Sequence, residues 1–394
     1  MINNLEIRCF KSIYSMDISL GNLNLLIGSN GCGKTNILEA LGVLSSSVYG
    51  VIDDESLLRR GVRPGVPRLY KTSNKKHSIS PHISFSVQGN GCEYKVSLLN
   101  PLEKPRPKWD YKTETFNDAK GNLIFSRGVR SNINPAAGGI PGIMGEIPQE
   151  SEEDEFLQSL REYAIYNPNT PMLRGLVADM QTRIPVGLSG GGLADGYYSL
   201  LKEIKGNDDL EEALDEIMEL FSWVEGISSE TSVASIVSSS VPRQKRTITF
   251  KDRFMREKYN KLTASDASEG ILYALFLAVL CLSEVGPSVF AVDNIDQALN
   301  PRVVKRMMSI LCEWFTNILN NKQVIVTAHN PSILDGISIA DDRIRLFAVD
   351  RDLDGLTVIK RVEITDELLR MSKEKDMPLS RLWVEGYIGG VPSV

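Results

Sequence analysis

Two short segments near opposite ends of the chain hold residue types that could act together on a phosphate. Gly28-Ser29-Asn30-Gly31-Cys32-Gly33-Lys34-Thr35 fits the pattern G-x-x-x-x-G-K-[ST], and Asn36 follows it. In such a loop the glycines let main-chain N–H groups face phosphate oxygens, Lys34 reaches the outer phosphates, and Thr35 offers a hydroxyl to Mg²⁺. A helix starting there adds the field of its N-terminus. A carboxylate for the same ion is offered by Asp293, which ends the apolar run Val289-Phe290-Ala291-Val292; a buried strand of this kind delivers one acid beside a phosphate loop. The expected ligands are ATP and Mg²⁺. Asn30, Gly31, Cys32, Gly33, Lys34, Thr35 and Asn36 would lie on the nucleotide, and Thr35 and Asp293 on the metal.

The elements that must position these groups follow from periodicity. Leu23 to Ile27 is nearly unbroken and runs into Gly28, while Ile37, Leu38, Leu41 and Leu44 share one helical face, so the loop joins a strand to a helix. Before it, Leu5, Ile7 and Cys9, then Met16, Ile18 and Leu20, alternate as two half-buried strands. Period two returns from Ile83 to Phe125, broken by a Gly-Asn-Gly turn at 89–91 and by Gly121 and Asn122, which predicts an antiparallel meander. Residues 128–155, rich in Gly and Pro and ending in an acidic run, read as an exposed loop. Helices around Leu193–Ile204 and Leu210–Val224 and a short strand at Thr247–Phe250 predict a second, mainly helical lobe. The last third alternates: helix from Glu269, strand to Val292, helix Val303–Leu319, strand Val324–Thr327, then a hairpin turning at Asp354 and Gly355. Asp350, Asp352 and Asp354 fit that turn better than a metal cluster.

The rest of the composition narrows the function classes. Formal net charge is −6, so any surface for nucleic acid must be local; basic runs lie at Lys71–Lys76, Lys104–Lys112 and Arg243–Lys261. Five cysteines show no metal-ligand spacing, the start lacks the apolar core of a signal peptide, and a reducing cytoplasm is expected. The longest apolar stretch, Ile271–Leu282, is shorter than the ~20 residues that cross a bilayer, so no membrane partner is expected.

Upstream of Asp293 stands Ala264-Ser265-Asp266-Ala267-Ser268-Glu269-Gly270, followed at once by an apolar helix, and downstream a strand ends in Thr327-Ala328-His329-Asn330-Pro331. With GSNGCGKTN at the other end, the chain resembles the ABC-type ATPases of the RecF, SMC and OLD group. The resemblance implies an α/β fold, an ABC-type P-loop head with an antiparallel meander and an inserted mainly helical lobe. The boundaries expected are 1–127 and 265–394 for the nucleotide-binding lobe and 128–264 for the loop and helical lobe of a single domain. It also implies a homodimer with two shared ATP sites, open to higher assembly, in which Ser268 and Gly270 grip the γ-phosphate held by the opposite subunit. Ser268 is equally an N-cap for its helix, a compatible role. His329 matches the switch histidine, Ala298-Leu299-Asn300-Pro301 the D-loop, and Lys11 a basic residue near adenine or phosphates. Leu188-Ser189-Gly190-Gly191-Gly192 imitates a signature loop, but no acid-ended strand follows it at suitable distance. Relatives carry Glu where this chain has Asn294, whose amide orients water without accepting its proton, so slow turnover is expected; Asp296 is an alternative base. The tail Leu382–Gly390 is similar to that of small stand-alone members encoded in bacterial defence islands, and a full TOPRIM domain after His329 is not expected. The resemblance implies an ATP-gated switch or scaffold for a separate effector, a nuclease or toxin, in Septu-like or retron-associated anti-phage defence. The other reading is a DNA-binding ATPase of repair or maintenance.

Overall fold

The structure, a computed structural model, describes residues 1–128, 132–231, 236, 241–242, 244–363 and 377–390. Its centre is a six-stranded sheet ordered β15-β14-β3-β13-β12-β8. Here β3 is Leu23–Ile27, β8 Ile165–Tyr166, β12 Val289–Val292, β13 Gln323–Ala328, β14 Ile344–Arg351 and β15 Thr357–Val362. All neighbours run parallel except β14 and β15, which form an antiparallel hairpin. Every residue of β3, β12 and β13 is buried. Parallel strands covered on both faces read in this way as continuous apolar runs.

Alternate residues of each strand feed two separate cores. Leu23, Leu25, Ile27, Phe290 and Val292 pack with α9 (Glu269–Leu282) and α10 (Pro301–Asn317), and with α7 (Leu193–Glu203) and α8 (Asp208–Glu219). Leu26, Val289 and Ala291 face the other way, onto α1 (Lys34–Tyr49) and a second sheet. That sheet is antiparallel and ordered β2-β1-β4-β5-β6-β7. It comprises β1 Asn4–Phe10, β2 Ile13–Ser19, β4 His82–Gly89, β5 Cys92–Leu99, β6 Asp110–Asn117 and β7 Leu123–Arg127. The meander expected from Ile83 to Phe125 is therefore present and continues the two N-terminal strands. Short helices α2 (Asp54–Leu58), α3 (Pro67–Tyr70), α4 (Ile140–Ile143) and α6 (Thr170–Leu173) connect these layers.

Two segments depart from the sequence reading. Residues 128–155 are not a loop throughout: α5 (Glu152–Glu162) begins in the acidic run, capped by Ser151 Oγ, which accepts Asp154 N–H at 3.2 Å. Four acids in the first turn suit the helix dipole, and Phe156, Leu157 and Leu160 are buried, so charge that suggested exposure instead starts a helix. The glycine-rich part is held by Gly138 N–H on Gly50 O (2.7 Å) and Gly139 N–H on Glu114 Oε2 (2.9 Å). The second departure is a three-stranded sheet, β11-β10-β9, where one strand was expected. Besides β10 (Thr247–Asp252) it contains β9 (Val224–Glu230) and β11 (Lys261–Thr263). β9 reads VEGISSE, whose weak strand preference is overridden by pairing with β10.

Candidate nucleotide site

The loop between β3 and α1 is shaped by contacts at its two ends. Gly28 has φ +154°, and a Cβ there would lie 2.2 Å from Val349 O; Gly33 has φ +117°, and its Cβ would lie 2.2 Å from Thr357 Oγ1. Neither site admits a side chain. Lys34 is buried, and its ammonium donates to Gly28 O (2.7 Å) and Ser29 O (3.1 Å) and stands 3.5 Å from His329 Nδ1. Burial lowers the Lys34 pKa, while Cys32, Asp293 and Asp296 oppose the shift. Asn30 and Gly31 lie exposed at the crest of the loop, and Cys32 is buried beneath it.

Thr35 Oγ1 donates to Asp293 Oδ1 and Oδ2 at 3.3 and 3.1 Å, so two sequence-distant oxygen donors meet at one point. A hydroxyl and a carboxylate are the hard donors Mg²⁺ takes, and the pair fits that ion. Thr327 Oγ1 donates to Asp293 Oδ1 (2.5 Å) and accepts Asn294 N–H (2.9 Å), tying β12 to β13. Asn294 has φ +58°, a left-handed conformation that asparagine tolerates better than most residues. Asp296 Oδ2 accepts the amides of His329 (2.8 Å) and Asn330. One oxygen thus holds the His329 turn. His329 reaches solvent on one side; desolvation of the other and the Lys34 ammonium lower its pKa, against Asp296 and Asp293.

Ser268 caps α9 through its backbone alone, its hydroxyl making no cap bond and lying exposed. Gly270 packs under the Ala298 turn, where a Cβ would meet Ala298 O at 3.3 Å. Among the described residues no hydrogen bond joins Ser268 or Gly270 to the phosphate loop of their own chain. The imitation signature is an internal turn held by Asp179 Oδ2, which accepts Ser189 N–H (3.0 Å) and Gly191 N–H (3.3 Å). The Asp350–Asp354 cluster is likewise a turn, with Asp352 Oδ1 accepting Asp354 and Leu356 N–H at 2.9 Å. Of the basic runs, Arg243 lies outside the described residues.

Lys11 lies in a largely buried ion pair: its ammonium is 2.5 Å from Glu39 Oε2 and over the Tyr70 ring at 5.1 Å. Glu39 is fully buried and also accepts Arg63 Nε (2.8 Å) and Nη2 (2.8 Å). The two cations answer differently: burial depresses the Lys11 pKa, whereas the hydrogen bond to Glu39 raises that of Arg63; at Glu39 itself burial is outweighed by bonds from Arg63 and Lys11, leaving its carboxyl below the ordinary range. One anion shared by two cations accounts for this. Glu39→Gln should destabilise the fold by about 3 kcal/mol, the low end for a broken buried pair because Arg63 reaches solvent. A depressed carboxyl stabilises above its unfolded pKa and loses that contribution as pH falls through the folded value. The gap in urea midpoint between wild type and variant should therefore close below about pH 4.

Sequence reading missed several residues that touch the loop. Arg351 donates to Gly31 O from Nε (3.1 Å) and Nη2 (2.9 Å), and Thr357 Oγ1 donates to Cys32 O (2.7 Å), so the β14–β15 hairpin straps the loop from outside. Asn36 Nδ2 donates to Ser12 Oγ (2.7 Å), which sits 2.6 Å from Thr357 Oγ1, and Asn36 Oδ1 accepts Arg63 Nη2 (3.1 Å). Asn167 follows β8, whose Tyr166 O accepts Asp293 N–H (2.9 Å), and it is exposed beside Asp293. None has a local motif; only the Asn-Pro-Asn after a short apolar strand, its two asparagines exposed, could have signalled a site edge.

A phosphate loop, an acid bonded to its threonine and a histidine beside its lysine, at the ends of strands of a mainly parallel sheet, form the arrangement of a P-loop ATPase head. Family models agree in two pieces: "AAA ATPase domain" matches residues 1–124, and "AAA domain, putative AbiEii toxin, Type IV TA system" matches residues 141–335. The chain is similar to the DNA replication and repair protein RecF of Clavibacter michiganensis subsp. michiganensis, 31% identical over 109 residues, which is 27% of each chain. RecF of Paenarthrobacter aurescens is 39% identical over 104 residues, 26% of this chain and 25% of that protein. The matches thus span about a quarter of the length of these curated relatives. Among solved structures, an Smc head domain with an extended coiled coil, bound to the C-terminal domain of ScpA, derived from Pyrococcus furiosus, superposes with TM-score 0.51 at 12% identity, covering 95% of this chain and 99% of that one. The SMC head domain from Thermotoga maritima gives TM-score 0.47 at 15% identity, over 92% and 99%. The chain thus carries a P-loop ATPase-type α/β head, matched in two pieces by AAA ATPase family models and similar over about a quarter of its length to RecF. Among the described residues no helix is long and apolar enough to cross a membrane.

Proposed function

We propose that the chain is a slowly hydrolysing ATPase that closes as a homodimer around two MgATP molecules and acts as a nucleotide-gated clamp. The observation that carries this reading is the convergence of Lys34, Thr35, Asp293 and His329 within hydrogen-bonding reach, while Ser268 presents an uncommitted hydroxyl at a helix start not bonded to that cluster. A second copy supplies what one chain leaves open. Lys34 exchanges loop carbonyls for phosphate oxygens; Thr35 and Asp293 hold Mg²⁺, which neutralises phosphate charge when bound. Asn294 orients the attacking water, and His329, fixed by Asp296, contacts the terminal phosphate. Ser268 and Gly270 of the second copy complete the pocket. Ser268→Arg should abolish the ATP-dependent doubling of mass in light scattering while leaving nucleotide affinity of the single chain within about threefold; a dimer that survives this variant would sink the shared-site reading.

Similarity to RecF favours duplex DNA as what the clamp holds, in repair or maintenance. The other output, release of a nuclease or toxin in anti-phage defence, is favoured by the toxin–antitoxin description of the model matching residues 141–335. ATP-dependent duplex binding that weakens steeply with salt supports the first. A co-purifying protein released by nucleotide, with no such DNA binding, supports the second.

A further inference from the structure

At the far end of α1, about 24 Å from the phosphate loop by helix length, lies an open cavity of about 370 Å³. Arg59, Arg60, Arg161 and Arg183 line it, in a protein whose net charge is −6. Their partners are mostly neutral. Arg60 is buried and donates to Ser45 Oγ (2.7 Å), Ser56 O (2.9 Å) and, weakly, Arg161 O (3.4 Å). Arg183 donates to the carbonyls of Arg59 (3.2 Å) and Glu162. Arg161 makes no ion pair among the described residues; its guanidinium lies 5.4 Å from the Tyr49 ring centroid, with Arg60 at 5.2 Å from the same ring. Two acids also line the cavity, but Asp53 caps α2 by accepting Ser56 N–H (2.9 Å), and Glu55 is paired with Arg59. Three guanidiniums therefore converge without a carboxylate of their own. Burial, then Arg183, push the Arg60 pKa down to about 10, the direction expected where like charges crowd.

We infer that this cavity is a second anion site, taking the phosphate group of a small phosphate monoester through Arg60, Arg161 and Arg183. Guanidinium forks match phosphate oxygens bidentately, and the volume suits a ligand of sugar-phosphate size. The site shares no residue with the phosphate loop, so it stands whether or not the clamp reading holds. Cations that merely satisfy carbonyls at the ends of α2 and α5 are the competing account, and they bind nothing.

Calorimetric titration of the full chain, preloaded with saturating Mg²⁺ and a non-hydrolysable ATP analogue, separates the two. Ribose 5-phosphate, inorganic phosphate and a 5′-phosphorylated oligonucleotide serve as probes, with ribose as the uncharged control. The expected result is one further site for ribose 5-phosphate, weakened at least tenfold by Arg161→Gln and by Arg183→Gln, with ribose silent. Among the described residues the Arg161 side chain donates no hydrogen bond, so its variant should keep the wild-type circular dichroism and melting temperature, and loss of binding there is not loss of structure. No second site, or one unchanged in both variants, overturns the inference. Tighter binding of the oligonucleotide than of ribose 5-phosphate, lost in the same variants, overturns the small-molecule assignment and makes a nucleic-acid 5′ end the source of the phosphate.

Discussion

Asn294→Glu is expected to raise single-turnover ATP hydrolysis on the order of a hundredfold, the lower end of what a positioned general base contributes. The residue follows Asp293 directly, and its main-chain N–H donates to Thr327 Oγ1 at 2.9 Å, so the side chain at this position is carried beside Asp293 by the backbone itself. An amide aligns water but takes no proton from it; a carboxylate does both. The gain is placed at the low end because φ at this position is +58°, and glutamate in the left-handed region costs about 1 kcal/mol that asparagine largely avoids. Phosphate release after rapid mixing of excess protein with MgATP measures it directly. An unchanged rate, with the variant folded and nucleotide bound, would remove Asn294 from the hydrolytic site and leave the slow turnover without its proposed cause.

Lys34→Ala should weaken ATP binding roughly a hundredfold, about 2.7 kcal/mol, within the range of one or two charge-assisted hydrogen bonds lost from the phosphates. In the ligand-free chain the ammonium is buried against two carbonyls, and burial depresses its pKa, so removing it also removes an unfavourable desolvation. The variant is therefore expected to melt close to the wild type without nucleotide and to lose the rise in melting temperature that MgATP produces. Light scattering on the same samples should show no nucleotide-dependent dimer. If the variant binds ATP as tightly as the wild type, the loop between β3 and α1 is not the phosphate site.

What was legible in the sequence shares one physical property: it is local. The strand–loop–helix at Leu23–Leu44, the run ending in Asp293 and the meander from Ile83 declare themselves because burial on one or both faces imposes a period on neighbouring residues. The helix at Glu152 was obscured for a related reason. Its acids look like an exposed run until Ser151 is recognised as the cap and Phe156, Leu157 and Leu160 as the buried stripe. β9 was missed because nothing in Val224–Glu230 marks a strand apart from the partner it pairs with.

By itself the sequence determined the chemistry available: a glycine-rich loop with Lys34 and Thr35, an acid at the end of an apolar strand, and an asparagine directly after that acid. It also determined the strand and helix periods that bring these groups to one sheet edge. The tertiary structure alone decided the partners of those side chains. Lys11 pairs with Glu39, Asp296 holds the His329 turn, and Arg351 and Thr357 hold the phosphate loop from a hairpin more than three hundred residues away. Four arginines scattered between 59 and 183 acquire a common cavity only when α1, α2 and α5 meet. Hydrogen bonds and ion pairs act over about 3 Å of space, whatever the separation along the chain, so a residue's partners are fixed only when the fold has chosen its neighbours.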